Sequence, residues 1–206
     1  MRLRSFARIA AIAVFAVAFG VLEHWTAQSF AVHMTQHMSL MVVLAPLLVI
    51  GWAPSRPPRA ICGVWFAMAA VAAQTIALVV WHLPAPFDAA EANSAVHVLE
   101  HITLLATALA AWWVIIASPV ATSVRFAACV GVAAPMMLLG VFITLSQGTL
   151  YPSYAQPLCL LSPLVDQQTG GAIMWGPAGI AYVIAAAWLV ASAITADERF
   201  ANARNA

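Results

Sequence analysis

Six apolar runs divide this chain, at about residues 5–22, 31–52, 61–81, 94–117, 125–147 and 166–194. A helix needs about 20 mostly apolar residues to cross the hydrocarbon core of a bilayer, and these runs meet that length. Charged residues make up only 7% of the chain and hydrophobic ones 64%. A soluble domain carries roughly a quarter charged residues, so this chain cannot cover a water-facing surface. The predicted fold class is an all-α integral membrane protein. Residues 1–206 are expected to form a single domain, a six-transmembrane-helix bundle in contact with the lipid bilayer.

The arginines orient it. All eight positive charges are Arg: Arg2, Arg4, Arg8, Arg56, Arg59, Arg125, Arg199 and Arg204. With six spans, every one of them falls on the side that holds both termini. The positive-inside rule makes that side, and so the N- and C-termini, cytoplasmic. The location predicted is the bacterial inner (cytoplasmic) membrane. The net charge of +1 gives no reason to expect a nucleic-acid partner. Arg2, Arg4 and Arg8 ahead of the first run, with Ala16-Val17-Ala18 inside it, also suit a cleavable leader. The run reaches spanning length, so a retained first span is expected.

All six histidines fall near the opposite face: His24, His33, His37, His82, His97 and His101, with Glu23, Asp88, Glu91, Glu100 and Asp166. Ionisable groups in or near spans are costly and usually functional. Four of the histidines come in pairs at i, i+4. His33-Met34-Thr35-Gln36-His37-Met38 opens the second span, and Met41 continues its row. His97-Val98-Leu99-Glu100-His101 opens the fourth. Side chains four apart lie on one helix face, so each pair offers two imidazoles to a facing helix. Ligand sites in bundles are built this way. The predicted metal ligands are His33, His37, His97 and His101, with His82. Met34, Met38, Met41, Glu100, Asp166, Gln167, Gln168, Met174 and His24 are candidates for further ligands or for positioning the ligands. For His24, and for the methionines on frequency alone, a purely structural role is expected. There is a faint repeat, since Glu23-His24 precedes the first row as Trp81-His82 precedes the second, and Gln36 matches Glu100.

Imidazole suits copper, zinc and iron, while thioether favours Cu(I). Copper ranks first, with zinc or haem b as alternatives. Glu100 is expected to orient a ligand or to act as a base. Cys62 and Cys129 lie near the cytoplasmic ends of their spans and Cys159 stands alone in the outer loop. No outer pair exists for a disulfide, and all three are read as small hydrophobes. His82 to Asn93 reads as a turn-rich loop. Gln167 and Gln168, entering the sixth span, are expected to bond the histidine rows or each other. Gly170 and Gly171 should let a helix approach closely. Tyr151 and Tyr154 read as interfacial anchors, and Met174 as packing.

Several motifs together carry a resemblance: His33-x-x-Gln36-His37-Met38 followed by Ala45-Pro46; Trp81-His82-x-Pro84; His97-x-x-Glu100-His101; Leu150-Tyr151-Pro152-x-Tyr154; and Asp166-Gln167-Gln168-x-Gly170-Gly171-x-x-Met174-Trp175-x-Pro177. Over about residues 24–188 the chain resembles the polytopic cytochrome c oxidase assembly factor CtaG, as distinct from the single-span copper chaperone of that name. The resemblance implies a membrane assembly factor for haem–copper oxidase that delivers or inserts copper. It maps the family's histidine motifs onto His33, His37, His97 and His101. Oxidase subunits or a periplasmic copper chaperone are then the expected partners. The oligomeric state stays open, a homodimer being one option.

Three other readings stand beside this one. His97-x-x-Glu100-His101 matches the inverted zinc-peptidase pattern of a membrane metallohydrolase, though short motifs arise by accident. One His from each row could ligate a b-type haem. A structural oxidase subunit would share the same location. No catalytic residue is assigned, and a role without turnover is expected.

Overall fold

The computed structural model describes residues 2–154 and 161–204, without the side chains of 199–204. Cys159 lies outside the described residues. Six helices are long and apolar enough to cross a membrane: α1 (Arg2–Thr26), α2 (Phe30–Trp52), α3 (Val64–Trp81), α5 (Ser94–Ile116), α6 (Thr122–Leu145) and α7 (Pro163–Arg204). Between α3 and α5 lies a short helix, α4 (Pro84–Ala92), where the sequence suggested a turn-rich loop. Pro84 and Pro86 do not break it, because proline fits the first turn of a helix, whose N–H groups lack partners anyway. Likewise Glu23 and His24, beyond the end expected for the first run at about residue 22, continue α1 to Thr26. There is no strand among the described residues.

Two wide π-helical turns interrupt the regular helices, at Ala18–Leu22 in α1 and Ser39–Leu44 in α2. Such turns insert a residue and re-aim the side chains around them. The second ends at Ala45-Pro46. In the wide register Ala45 N donates to Leu40 O, so the next donor would be Pro46, which has none. The carbonyl left free is that of Met41, and the indole of Trp112 donates to it at 2.8 Å. A neighbouring helix thus satisfies the proline's lost partner, as a bilayer requires.

The arginines close helix ends. Arg8 donates to Gly51 O at the end of α2 (2.9 Å) and lies over the Trp52 ring. Arg125 donates to the last carbonyls of α5, Ile115 O and Ile116 O, at 2.8–3.0 Å. Cations suit helix C-termini, where unpaired carbonyls and the helix dipole gather negative charge.

At the other end Asp166 does the converse. Its carboxylate accepts from the Ser29 hydroxyl (2.7 Å), Phe30 N (2.7 Å) and Ala31 N (3.3 Å), capping the start of α2. This fixes the height of the His33–His37 row against α7. Gly170 and Gly171 then let α7 come close. A Cβ on Gly170 would stand 2.4 Å from the Phe30 ring, and one on Gly171 2.6 Å from Thr144 N of α6. Met174 fills the same α6–α7 seam, fully buried.

Candidate metal centre

α2 and α5 bring their two histidine pairs face to face, and α3 adds His82 at its end. The ring centroids of His33, His37, His97 and His101 lie between 4.3 and 6.0 Å apart in the five pairs that touch. His82 lies 5.7 Å from His37. His33 and His37 are inaccessible to solvent, and His82 and His101 are buried. Ligand nitrogens of His33, His37 and His101 fall within 4.8 Å of one another, and so do ligand atoms of His97, Glu100 and His101.

The hydrogen bonds around the rings fix which nitrogen faces inward. His82 donates from Nδ1 to Leu78 O (2.7 Å), and His101 from Nδ1 to His97 O (2.9 Å). His33 Nδ1 lies 2.8 Å from Glu91 Oε1 and 3.2 Å from the Tyr154 hydroxyl. The Tyr154 proton is committed to Thr26 O at 2.8 Å, so His33 Nδ1 is the donor, to the Tyr154 oxygen, with the Glu91 carboxylate beside it. A histidine whose Nδ1–H is held by a carbonyl or carboxylate presents Nε2 as a free lone pair. Three Nε2 atoms are therefore turned into the bundle as acceptors. His33 Nε2 and His37 Nε2 approach to 2.9 Å, so either neutral His37 carries its proton on Nε2 and donates it to His33, or a cation lies between the two nitrogens. His82 Nε2 and His37 Nδ1 are buried with no hydrogen-bond partner.

Glu100 sits in the middle. Its oxygens lie 3.7 Å from His33 Nε2, 3.6 Å from His37 Nε2 and 3.8 Å from His97 Nδ1. The side chain is fully buried, and neither oxygen makes a hydrogen bond. A buried carboxylate left so is costly unless a cation or a proton neutralises it. A donor set of convergent imidazole nitrogens around such a carboxylate fits a transition-metal ion.

Two residues that sequence reasoning did not place in the site hold it. Gln36, one position before His37, donates from Nε2 to Ala18 O (2.9 Å) and Glu23 Oε2 (2.6 Å). Its amide is thereby oriented, and Oε1 meets His101 Nε2 at 2.9 Å. Glu91 lies on α4, outside the spans. Burial works to raise its pKa, but the hydrogen bond and charge of His33 outweigh it, and the carboxyl is held below its ordinary value. The signal for Gln36 was its match to Glu100 in the repeat; Glu91 had none beyond its side of the membrane.

Over His33 lies an aromatic cap. Phe30 stacks on Tyr151 at 4.6 Å, and Phe87 lies 4.5 Å from Tyr151 and 5.0 Å from His33. Tyr151 donates to His82 O at 3.0 Å. Both tyrosines are buried and pin the site, in place of the interfacial anchoring expected of them. Burial pushes the pKa of each hydroxyl up, which keeps both as donors.

The remaining candidates are engaged elsewhere. Gln167 bonds Leu150 N (2.6 Å) and Gly148 O (3.1 Å), and Gln168 bonds Ser146 O (3.0 Å). They fasten the loop after α6 and do not touch the histidines. The backbone of that loop offers unpaired groups, which bind the amides first. Asp166 is spent on capping. Met34 is buried against Gly170, Met38 is buried in the core, and Met41 accepts from Gln74 Nε2 at 3.4 Å. His24 is exposed and edges against Trp25.

Comparison with known proteins adds one finding. The family model described as cytochrome c oxidase caa3 assembly factor (Caa3_CtaG) matches residues 1–196. No curated protein and no solved structure was found to match. With nearly its whole length matched, this chain belongs to the cytochrome c oxidase caa3 assembly factor family.

Proposed function

We propose that this protein binds copper in the buried histidine cluster and hands it to the haem–copper oxidase during assembly, without turnover. Copper here is cargo. One observation carries the reading: His33 and His37 turn Nε2 toward Glu100 at 3.7 and 3.6 Å, beside His101, and both oxygens of that buried carboxylate are unpaired. Two nitrogens 2.9 Å apart also subtend about 90° at an ion about 2 Å from each, an angle that tetragonal copper accepts. His33, His37 and His101 would hold the ion, Glu100 would offset its charge, and His82 stands by with a free Nε2. Copper brings affinity for imidazole and mobility between ligand sets; the chain supplies the donors and keeps water out.

The arginine end is proposed to be cytoplasmic and the histidine end periplasmic or extracellular, by the positive-inside rule. That places copper on the side from which a copper chaperone or the oxidase could exchange it.

The alternatives fit less well. Rings in mutual contact leave no slot for a porphyrin between two axial ligands. The zinc-peptidase pattern is present, but its Glu100 is fully buried among histidines, out of reach of an extended peptide. Metal analysis of the purified protein tests the reading. Copper near one per chain without a Soret band is expected. Stoichiometric zinc, or a strong Soret band, would overturn it.

A further inference from the structure

The cluster contains two overlapping donor sets. One is His33, His37 and His101; the other is His97, Glu100 and His101. They share a buried floor and differ in depth at His97 alone. The side chains of His33, His37 and Glu100 have no exposure, His97 has 15%, and Glu23 beside it has 40%. Glu23 Oε1 lies 3.2 Å from His97 Nε2, and its other oxygen accepts from Gln36. The π-helical turn of α1 ends at Leu22, immediately before Glu23, and Ala18 O within it accepts from the same Gln36 amide.

We propose that His97, Glu100 and His101, with Glu23 at their mouth, form a shallow acceptance site through which the cation reaches and leaves the buried His33–His37–His101 set. The inference rests on the copper-binding reading and adds a route to it. His101 belongs to both sets, and Glu100 Oε2 lies 3.7 Å from His33 Nε2 and 3.8 Å from His97 Nδ1. A cation can therefore exchange His97 for His33 and His37 while keeping two ligands. It never stands bare in a low-dielectric interior, where an unpaired charge is most costly. The ion moves with its charge unchanged, and no bond other than metal–ligand bonds is made or broken.

The other side of the cluster is closed. Phe30, Phe87, Tyr151 and Tyr154 cover His33. Glu91 reaches the surface with 10% exposure, but it faces His33 Nδ1, the nitrogen turned away from the other donors. A cation arriving there would not meet Nε2. Because the two sets share His101, occupying one excludes the other, and the chain holds one ion.

The test uses the full-length protein in nanodiscs and Cu(I) supplied as its cationic acetonitrile complex. Stopped-flow mixing with bathocuproine disulfonate, which colours with the Cu(I) outside the protein, gives the rates of uptake and release, and metal analysis gives final occupancy. Glu23→Gln keeps an acceptor for Gln36 but removes the charge. It should slow uptake and release together by roughly tenfold or more, the scale on which a charged mouth raises association rates, with final occupancy unchanged. His97→Ala should do the same or more. Glu23→Asp should recover most of the rate, and so separates charge from misfolding. His33→Ala should instead lower final occupancy. Wild-type rates in Glu23→Gln and His97→Ala would overturn the route, as would a loss of occupancy equal to that of His33→Ala. A wild-type protein that takes up no Cu(I) would instead overturn the copper reading on which the route rests.

Discussion

Gln36 Oε1 meets His101 Nε2 at 2.9 Å, across the interface of α2 and α5. Since His101 already donates from Nδ1 to His97 O, its Nε2 and the Gln36 oxygen are both lone-pair atoms in the neutral state. A cation relieves that contact, whether a proton or a metal ion bridging the two. The residue between the paired histidines of α2 is thus joined to the pair of α5, and through Glu23 to α1.

Gln36→Leu should therefore disturb both stability and binding. Loss of the buried amide takes the donor from Glu23 Oε2 and the facing oxygen from His101 Nε2, while Ala18 O keeps Glu23 N, at a cost of about 1–3 kcal/mol. Copper affinity should fall roughly tenfold to a hundredfold, as for other residues that orient ligands. Thermal melting and a chelator-competition titration measure the two effects. Unchanged affinity would show that Gln36 is only a fastening between helices.

His33→Ala, His37→Ala and His101→Ala should each abolish stoichiometric copper binding while the protein still accumulates in the membrane. An imidazole ligand is not replaced by water without loss of affinity and selectivity. His24→Ala should be silent, since that ring is exposed and outside the cluster. Immunoblot, metal analysis and oxidase activity of the host check this. Normal oxidase maturation with all three variants would make the cluster structural.

Asp166→Ala should destabilise the fold by about 1–2 kcal/mol, the worth of a helix cap, or more because the site is buried. Copper stoichiometry in the folded fraction should not change, since Asp166 touches Ser29, Phe30 and Ala31 and no histidine. Loss of copper at full folding would place Asp166 in the metal site after all.

Gly170→Ala should cost about 1–3 kcal/mol by overpacking, because its Cβ would meet the Phe30 ring at 2.4 Å. Phe30→Leu in the same chain should recover part of that loss. Gly171→Ala should not be rescued by any side-chain change, because its Cβ meets backbone, Thr144 N at 2.6 Å and Gly140 O at 2.8 Å. Melting temperatures of the single and double variants decide it.

A reporter active only outside the cytoplasm should be active when fused after Asp88 or Ser153, and silent when fused after Arg56 or in the C-terminal tail. The arginine distribution sets this expectation. Activity in the tail would reverse or break the six-span topology.

The chain by itself determined the spans and the pairing of His33 with His37 and of His97 with His101. Both follow from local rules: apolar length fixes a membrane helix, and a four-residue spacing fixes a helix face whatever lies opposite. Gly170 and Gly171 were legible as a place of close helix approach, since a residue without a side chain marks it whatever lies opposite. The partners of polar side chains were not. Gln167 and Gln168 turned to the backbone after α6, Tyr151 and Tyr154 turned inward over His33 and His82, and Asp166 capped a helix 136 positions away. Glu91 reached His33 only because Pro84–Ala92 is a helix lying over the bundle. Which donors meet depends on how high each helix stands against its neighbours and how it is rotated. Close-packed glycines, wide π turns and long-range caps set those heights and rotations, and they act between segments far apart in the chain.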